Sequence, residues 1–574
     1  MGVLHALSDF LQTRPGWQNA AFRVLLTLGC IGLAYGLLRR DAAALGRMRA
    51  RFVRLAERPV LPYFLTAGLA LALCAAFESL YRPVPYIHDE FGYLLGADTF
   101  LHGRVTNPTH PLWRFFESFH LVHVPHYVTK YPAGPALALA LGQWLFGDPL
   151  VGVWLSYAAA QVALLWLLRG YLPRHWALAG SLVWTMHSKL LTAWGLSYWG
   201  GALAMLGGCL LWGAVPRLRR KPAVADALAL AAGVLVLANS RPFEGALTAI
   251  PAAAALGYLF WRSDAKSRWL SRVAVPAGLL LAAGLVVMGT YHARITGSPT
   301  KLPYTLYNAQ YETARSLLFQ TPNPRPVYRH KVMARFHDTE RMLFDRRRNS
   351  LAVYLHDLLR VRTAYYAMFF LNIYLALSFF AFVLLRKSRR DGYLLGTMAF
   401  VFVVASASLT YLPHYLAPLT GLIAYATVQG TRRLLHDAPV GTPLLRRAVA
   451  LGLLGMVLLQ TMSSAVRWIE PIRNPVRFRS PLQAKLHGLG GRHLILVRYA
   501  PGHDFALEWV FNGADLENAA VLWARDGGTE NDKLFDYYPD RTIWRYEPDR
   551  HPARLIRQRA ALVSPKPVPS GLEF

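Results

Sequence analysis

A group of acidic and basic residues after the second long apolar segment is the part of this sequence best suited to chemistry. Asp89 and Glu90 are adjacent, Tyr93 follows them, and Lys130 lies further along the same polar segment. A carboxylate can take a proton as a general base, and a lysine can stabilise a negatively charged leaving group. A carboxylate next to a membrane is costly unless it is paired or faces water. The pattern therefore indicates a site at a membrane surface that acts on a charged group; an acidic pair held only by solvent is the alternative.

Two further polar residues belong to this candidate site. His88 precedes the acidic pair and Asp98 follows it. Acids and cations gathered at one membrane face suit a reaction on a charged lipid headgroup. The apolar spacing between them, with Tyr93, Ala97 and Leu101 on one face, predicts a short helix. Asp89 and Glu90 would then lie at its N-terminus, where the helix dipole favours carboxylates.

Two short turns and one aromatic segment add candidates for substrate binding. Arg241 and Glu244 lie in the turn SRPFEG, where the arginine could bind a phosphate through two hydrogen bonds. An Arg–Glu pair that closes the hairpin is the alternative. His414 lies in the turn YLPHYLAP, where a structural role is the alternative. Tyr304 begins a tyrosine series at helical spacing that could stack on a sugar or anchor the chain at the membrane interface.

The elements that must position these residues are membrane helices. The chain has 574 residues, of which 54% are hydrophobic, and its mean hydropathy is +0.26. The apolar residues are concentrated in runs of about 18–21 residues, which is long enough to cross a bilayer. These runs predict an α-helical polytopic membrane protein with about twelve spans: 21–38, 61–80, 149–168, 177–193, 197–215, 224–240, 244–261, 273–291, 366–385, 392–410, 412–430 and 448–466. The apolar segment 133–147 is too short to cross and is predicted to be a helix on the outer membrane surface.

The distribution of Lys and Arg predicts the orientation. The connection 39–58 contains seven arginines, whereas the connections 194–196 and 411 contain no Lys or Arg. The basic side should be cytoplasmic. The predicted location is therefore the bacterial inner membrane, with the segments 81–148, 292–365 and 467–574 on the periplasmic side. This pattern accounts for much of the net charge of +30, so the charge does not indicate nucleic-acid binding.

The sequence predicts two domains. Residues 1–466 would form the membrane domain with its two periplasmic loops, and residues 467–574 a small α/β domain. Runs rich in β-formers predict strands at 493–499, 519–525 and 541–547. A helix at 529–538 between the second and third strands suggests that these two are a parallel pair with a right-handed crossover. We expect a structural role or acceptor recognition for this domain. The N-terminus lacks the features of a cleaved signal peptide, so the first span is expected to remain as an anchor.

The segment DEFGYLLGADTFLHGRVTNP resembles the first periplasmic loop of the GT-C superfamily of membrane glycosyltransferases. The resemblance is to the family 39-like members, which include lipid A aminoarabinose transferases and protein O-mannosyltransferases. The matching positions are Asp89, Glu90, Tyr93, Gly103 and Pro108. The following segment, YVTKYPAGPALALALGQWLFGDPLVGVWLS, resembles the surface helix of that family and the entry into its next span. The resemblance covers roughly residues 61–290.

The resemblance implies an inverting transfer of a sugar from a polyprenyl-phosphate donor to an acceptor on the periplasmic side. It implies that Asp89 is the general base and that Lys130 stabilises the phosphate that leaves; Glu90, Tyr93 and Arg241 would support them. The sequence departs from the family at Tyr131, where a proline is usual. It departs again in the turn WGLSYWGG, which lacks an acid that relatives often carry. A metal at that turn is therefore not expected.

The sequence leaves open whether the protein uses a divalent metal as a cofactor. His120, His123 and His126 are spaced by three residues and could bind one, but Pro125 interrupts a helix there. Interfacial histidines that bond to headgroups are the alternative. Besides the donor, the expected partners are membrane lipids and a lipid, glycan or protein acceptor. Two other functions stay open: a transporter or flippase for a lipid-linked sugar, which predicts internal repeats and mid-membrane charges, and a non-enzymatic envelope-assembly scaffold.

Overall fold

The computed structural model of the chain describes residues 16–40, 42–437, 442–469, 479–559 and 571–573. Parts of both predicted domains, namely 1–15, 438–441, 470–478 and 560–570, lie outside the described residues. The described chain is mainly helical, with a two-stranded sheet in the first outward loop and a five-stranded sheet near the C-terminus. The longer helices are Gly16–Arg40, Ala42–Glu57, Leu61–Leu80, His88–Leu101, Ala133–Phe146, Pro149–Tyr171, Arg174–Thr185, Gly201–Arg220, Val224–Ala238, Pro242–Trp261, Val275–Thr296, Lys331–Asn349, Asn372–Leu384, Arg389–Ala405, Thr420–His436, Pro443–Ile469 and Arg479–Leu489.

Six helices in the described residues are long and apolar enough to cross a membrane, or seven if a bent pair, Leu351–Phe370 with Leu375–Leu384, is one span. The chain is therefore a multi-pass membrane protein, and the count of twelve stays a prediction. One predicted span, 177–193, is not a single helix. Its first helix ends at Thr185, and the His187 side chain accepts from the backbone N–H of Leu190 to cap a new short turn.

The helix Ala133–Phe146 is present where the surface helix was predicted. One side of it packs closely on the helix Pro149–Tyr171, where Gly142 meets Gly152. A Cβ on Gly142 would lie 2.1 Å from the backbone of Gly152, so only glycine allows this approach. The opposite side leaves Leu137, Leu141 and Trp144 exposed. An exposed apolar face of this kind is typical of a helix that lies in the membrane interface.

The C-terminal sheet contains the three predicted strands, as Arg492–Val497, Val521–Arg525 and Arg541–Glu547. The strand prediction was right, but the pairing was not. The first strand lies in the middle, and the other two pair with it in parallel on either side. The sheet continues with two antiparallel strands that were not predicted, Arg554–Arg559 and Gly571–Glu573.

The loop 81–148 and the C-terminal sheet share one hydrophobic core. Leu95, Phe116 and Tyr127 of the loop are buried together with Leu494 and Leu522 of the sheet. Hydrogen bonds reinforce the contact, for example between His110 Nε2 and the Tyr538 hydroxyl at 2.8 Å. The C-terminal sheet therefore packs directly against the helix His88–Leu101, which carries the acidic pair.

Candidate active site

Asp89 lies in the first turn of the helix His88–Leu101, and its side chain is 13% exposed. Its Oδ1 accepts a hydrogen bond from the Tyr131 hydroxyl at 2.7 Å, and its Oδ2 accepts one from the Trp199 indole N–H at 3.2 Å. Within the described residues, no lysine or arginine forms an ion pair with this carboxylate. Asp89 is therefore a fixed carboxylate whose charge no lysine or arginine of the described chain neutralises.

Tyr131 and Trp199 are the functional residues that the sequence analysis missed. Tyr131 was noticed only as a departure from the family proline, and Trp199 only as part of a turn without an acid. Burial raises the pKa of Tyr131 well above its usual value, and the nearby Asp89 charge adds to the rise. The phenol therefore stays protonated and donates to the carboxylate. Two neutral donors hold Asp89 in place without cancelling its charge.

His120 is the third neighbour of Asp89. Its Nε2 lies 3.5 Å from Asp89 Oδ1, and its backbone has φ of 63°, which is uncommon for a residue other than glycine. Burial lowers the pKa of His120 well below its usual value, and the Lys130 charge lowers it further. The imidazole is therefore neutral near pH 7, so His120 can exchange a hydrogen bond with the site but adds no charge to it.

Glu90 holds the start of the helix rather than facing the same space as Asp89. One of its oxygens accepts from the backbone N–H groups of Tyr86 and Ile87, and the other from that of Tyr198, all within 3.0 Å. Burial raises the pKa of the Glu90 carboxyl to about 7, and the three backbone donors oppose the rise. Because Tyr198 precedes Trp199, Glu90 also fixes the turn whose indole bonds to Asp89.

Substitution Glu90→Gln is expected to destabilise the protein. The glutamine has one oxygen acceptor where Glu90 has two, so its NH₂ group would face a backbone N–H group that now bonds to the carboxylate. A buried donor left without an acceptor costs about 1–3 kcal/mol. Thermal unfolding of the purified protein should show a lower midpoint. The control is Glu78→Gln, which removes a carboxylate at the end of the preceding helix that makes only a partly exposed ion pair with Arg82. Equal midpoints for the two variants would contradict this role for Glu90.

Lys130 lies in an aromatic cage. Its Nζ is 4.5 Å from the ring centre of Tyr307, 5.6 Å from that of Tyr131 and 6.0 Å from that of Tyr304. The side chain is 8% exposed, and its Nζ pairs with Glu312 Oε1 at 3.3 Å. Tyrosine rings stabilise a cation through their π faces. The cage holds a charged ammonium close to Asp89, because Tyr131 contacts both.

Arg241 supplies a second buried cation. Its Nη2 lies 3.5 Å from the Tyr93 hydroxyl, and its guanidinium carbon lies 5.0 Å from the ring centre of Tyr415. Glu244 is also buried, but no ion pair in the described residues joins it to Arg241. The hairpin-closing pair considered from the sequence is therefore not formed. The rings of Tyr93 and Tyr131 are 4.7 Å apart, and those of Tyr131 and Tyr304 are 5.7 Å apart, so tyrosines connect the two cations.

His414 borders the site through Trp199. The two rings meet edge to face, with centres 4.6 Å apart. His414 is completely buried, and neither of its ring nitrogens has a hydrogen-bond partner among the described residues. Buried polar groups nearly always have a partner. The two His414 nitrogens, which lie beside the Trp199 indole that bonds to Asp89, are therefore a candidate contact for a substrate hydroxyl.

Two predicted site residues bond to the C-terminal part of the chain. His88 stacks on Phe119 with ring centres 4.1 Å apart, and its Nε2 is 2.9 Å from the backbone carbonyl oxygen of Phe505. Its ring also meets that of His120 edge to face, with ring centres 5.8 Å apart. Asp98 accepts from the backbone N–H of Ala514 at 2.6 Å. Both residues therefore tie the helix to the C-terminal domain, and His88 also borders the site through His120.

The three histidines that suggested a metal do not converge. His120 faces Asp89, whereas His123 stacks on Tyr127 with ring centres 4.9 Å apart. The segment 121–129, which contains His123 and His126, forms a hairpin of the strands Leu121–Val122 and Val128–Thr129 instead of a helix. In the part of the chain that the structure describes, no three His, Cys, Asp or Glu side chains are grouped so that they could hold a metal ion.

Comparison with protein-family models gives no match, and comparison with curated proteins gives none either. Among solved structures, the chain is similar to ArnT from Cupriavidus metallidurans, bound to undecaprenyl phosphate and in the apo state. The identity is 12%, with 84% of this chain and 92% of that chain covered, and the TM-scores are 0.47 and 0.48. It is also similar to the oligosaccharyltransferase AglB from Archaeoglobus fulgidus in complex with an inhibitory peptide and a dolichol-phosphate. There the identity is 11%, the coverage 84% and 69%, and the TM-score 0.43.

ArnT and AglB are both members of the GT-C superfamily, which is the class that the sequence resembles. The similarity is distant, with identities of 11–12% and TM-scores below 0.5. The chemistry of this chain must therefore be argued from its own site.

Proposed function

We propose that this chain is an inverting glycosyltransferase that moves a sugar from a polyprenyl-phosphate donor to an acceptor hydroxyl. The observation that carries the proposal is the combination of one fixed carboxylate with two buried cations in a single tyrosine-lined site. Among the described residues Asp89 has no lysine or arginine partner that would neutralise it as a base, while Lys130 and Arg241 provide the positive charge that a departing phosphate needs. ArnT, one of the similar structures, is bound to undecaprenyl phosphate.

The reaction we propose is a single displacement. The acceptor oxygen attacks the anomeric carbon of the donor sugar from the face opposite the phosphate, and its proton passes to Asp89. The bond between the anomeric carbon and the phosphate oxygen breaks, and polyprenyl phosphate leaves with both electrons of that bond. Lys130 and Arg241 stabilise the charge that develops on the phosphate. One displacement inverts the anomeric configuration, and the proton on Asp89 is later lost to solvent.

The other site residues position the reactants. Tyr93 and Tyr304 offer hydroxyls and ring faces to the donor, and Glu244 adds a buried carboxylate next to Arg241 that could accept from sugar hydroxyls. His414 offers its two free ring nitrogens from the opposite side of Trp199. Glu90 acts as a positioning residue, because it fixes both the helix that carries Asp89 and the turn that carries Trp199.

The distribution of basic residues supports a periplasmic site in the bacterial inner membrane. The helix Gly201–Arg220 begins next to the Trp199 turn and ends with Arg217, Arg219 and Arg220. The helix Pro242–Trp261 likewise begins next to Arg241, at the site, and its other end is followed by Arg262, Lys266 and Arg268. Each helix therefore leads from the site toward a basic end, and basic ends are retained on the cytoplasmic side. The site would then face the periplasm.

The proposal is tested by incubating the purified protein with a panel of polyprenyl-phosphate sugars and an envelope extract as acceptor. Release of polyprenyl phosphate should occur with at least one donor and should require the extract. A parallel reaction with a metal chelator separates metal-dependent from metal-independent transfer. If no donor is consumed, and the same lipids cross a sealed membrane when the protein is present, the result would favour a flippase and contradict the transferase.

A further inference from the structure

The helix His88–Leu101 has a second functional face. Asp89 and Tyr93 extend from one face toward the candidate active site. The opposite face lines an open-sided cavity of about 470 Å³, whose other wall is formed by the C-terminal domain. The helix contributes Phe91, Leu94 and Asp98 to the cavity, and these recur at the spacing of one helical face. The cavity is thus separated from the active site by the helix itself.

Arg479 is the residue that marks this cavity as a binding site. It lines the cavity and is 7% exposed. One of its terminal nitrogens donates to the backbone carbonyl of Phe511, and the guanidinium lies on the Phe511 ring. Its Nε and Nη1 have no hydrogen-bond partner among the described residues. Burial lowers the pKa of Arg479 to about 9, so the group is still charged at neutral pH.

The rings of Phe511 and Trp523, 3.3 and 4.7 Å from the guanidinium carbon, stabilise part of its charge. Two donors that lack a partner within the described residues still make such a buried, charged group costly to keep without an anion. Phosphate and carboxylate are the groups whose geometry fits two guanidinium donors. Within the described residues, Asp98 does not pair with Arg479; its Oδ2 accepts from Ala514, and its Oδ1 lies 3.4 Å from His102. The cavity therefore offers donors for an anion at Arg479 and an acceptor for a hydroxyl at Asp98.

The position of the cavity indicates where its ligand comes from. Val84 and Pro85 line it directly after the membrane helix Leu61–Leu80, and Pro149 lines it at the start of the membrane helix Pro149–Tyr171. Gln143 also lines it and adjoins Trp144, which is 74% exposed on the interfacial helix. These residues place the cavity at the level of lipid headgroups.

We propose that this cavity binds the headgroup of an anionic phospholipid, with its phosphate on Arg479 and a headgroup hydroxyl on Asp98. The bound lipid would join the C-terminal domain to the membrane surface and hold it against the back of the helix that carries Asp89. The site does not depend on the proposed transfer reaction, because it lies on the other face of that helix.

Native mass spectrometry of the full-length protein in detergent tests this proposal. Short-chain phosphatidylglycerol is titrated against phosphatidylcholine, which lacks a free headgroup hydroxyl and is neutral overall. We expect at least about tenfold tighter binding of phosphatidylglycerol, and a loss of about tenfold in Arg479→Gln, since hydrogen bonds to a charged group are stronger than neutral ones. Arg492→Gln is the matched control, because Arg492 is in the same domain and pairs with Asp540 at its surface.

A second variant, Gln483→Trp, fills the cavity without removing the guanidinium, so the test stands even if Arg479→Gln does not fold. It should also lose the preference for phosphatidylglycerol. Equal binding of the two lipids by the wild type would overturn the proposal, as would unchanged binding by a folded Gln483→Trp variant. Glycerol phosphate that binds as tightly as the lipid would show a soluble ligand and would overturn the lipid assignment.

Discussion

The variant Asp89→Asn is expected to lose about 10²–10⁴-fold in the rate of sugar transfer, which is the usual contribution of a general base. Asparagine has nearly the same shape as aspartate. Its oxygen can still accept from the Trp199 indole, and its amide can donate to the Tyr131 hydroxyl, which can turn to accept. The variant should therefore fold with an unchanged unfolding midpoint. It nevertheless lacks a group that can take the proton from the acceptor hydroxyl.

The matched control for this variant is Asp338→Asn. Asp338 lies in the other long outward segment, and its side chain is 45% exposed in an ion pair with Arg325. Such surface pairs contribute little to stability, so the control should retain its rate and its unfolding midpoint. A folded Asp89→Asn variant with the wild-type rate would remove Asp89 from the role of base.

Removal of either buried cation is the second change with a large expected effect. The variant Arg241→Gln should lose about 10²–10³-fold in rate, as is typical when one donor to a developing negative charge is lost. Its unfolding midpoint should fall, because the buried Glu244 carboxylate loses the positive charge beside it, so the rate is measured on protein shown to be folded. Arg241→Lys, which keeps the charge, should recover part of the rate. Equal rates for Arg241→Gln and the wild type would contradict a role on the leaving phosphate.

Lys130 needs a paired design, because it is bonded to Glu312. The variant Lys130→Gln leaves that buried carboxylate without its partner, and breaking a buried ion pair costs about 3–5 kcal/mol. The double variant Lys130→Gln with Glu312→Gln removes both charges and should recover the unfolding midpoint. Its rate should stay low if the ammonium stabilises the phosphate. Recovery of both midpoint and rate would show that Lys130 is structural only.

The sequence was sufficient for the local features of the site. The helical spacing after Asp89 predicted the helix that carries it, and the family resemblance assigned Lys130 and Tyr93 to the same site. The short apolar length similarly predicted the surface helix at 133–147. Each of these features depends on a short segment and on its periodicity.

The sequence could not show which distant side chains complete the site. Trp199 and Tyr131 lie in two separate loops and reach Asp89 only through tertiary packing, and neither residue type signals a carboxylate contact by itself. The same is true of Asp98, which looked like part of the acidic cluster. It is on the opposite face of the helix, and its partner Ala514 belongs to a strand-flanking loop of the C-terminal domain. Contacts at such separations depend on tertiary packing.

Sealed vesicles that contain the purified protein and a labelled polyprenyl-phosphate sugar provide the most direct test of the central claim. The fate of the sugar and of the lipid is followed together after the acceptor extract is added. The account predicts that polyprenyl phosphate is released in a one-to-one ratio with sugar on the acceptor, that the anomeric configuration inverts, and that Asp89→Asn abolishes both signals. A sugar that stays on its lipid while the lipid changes leaflet, equally in the wild type and in Asp89→Asn, would contradict the transferase.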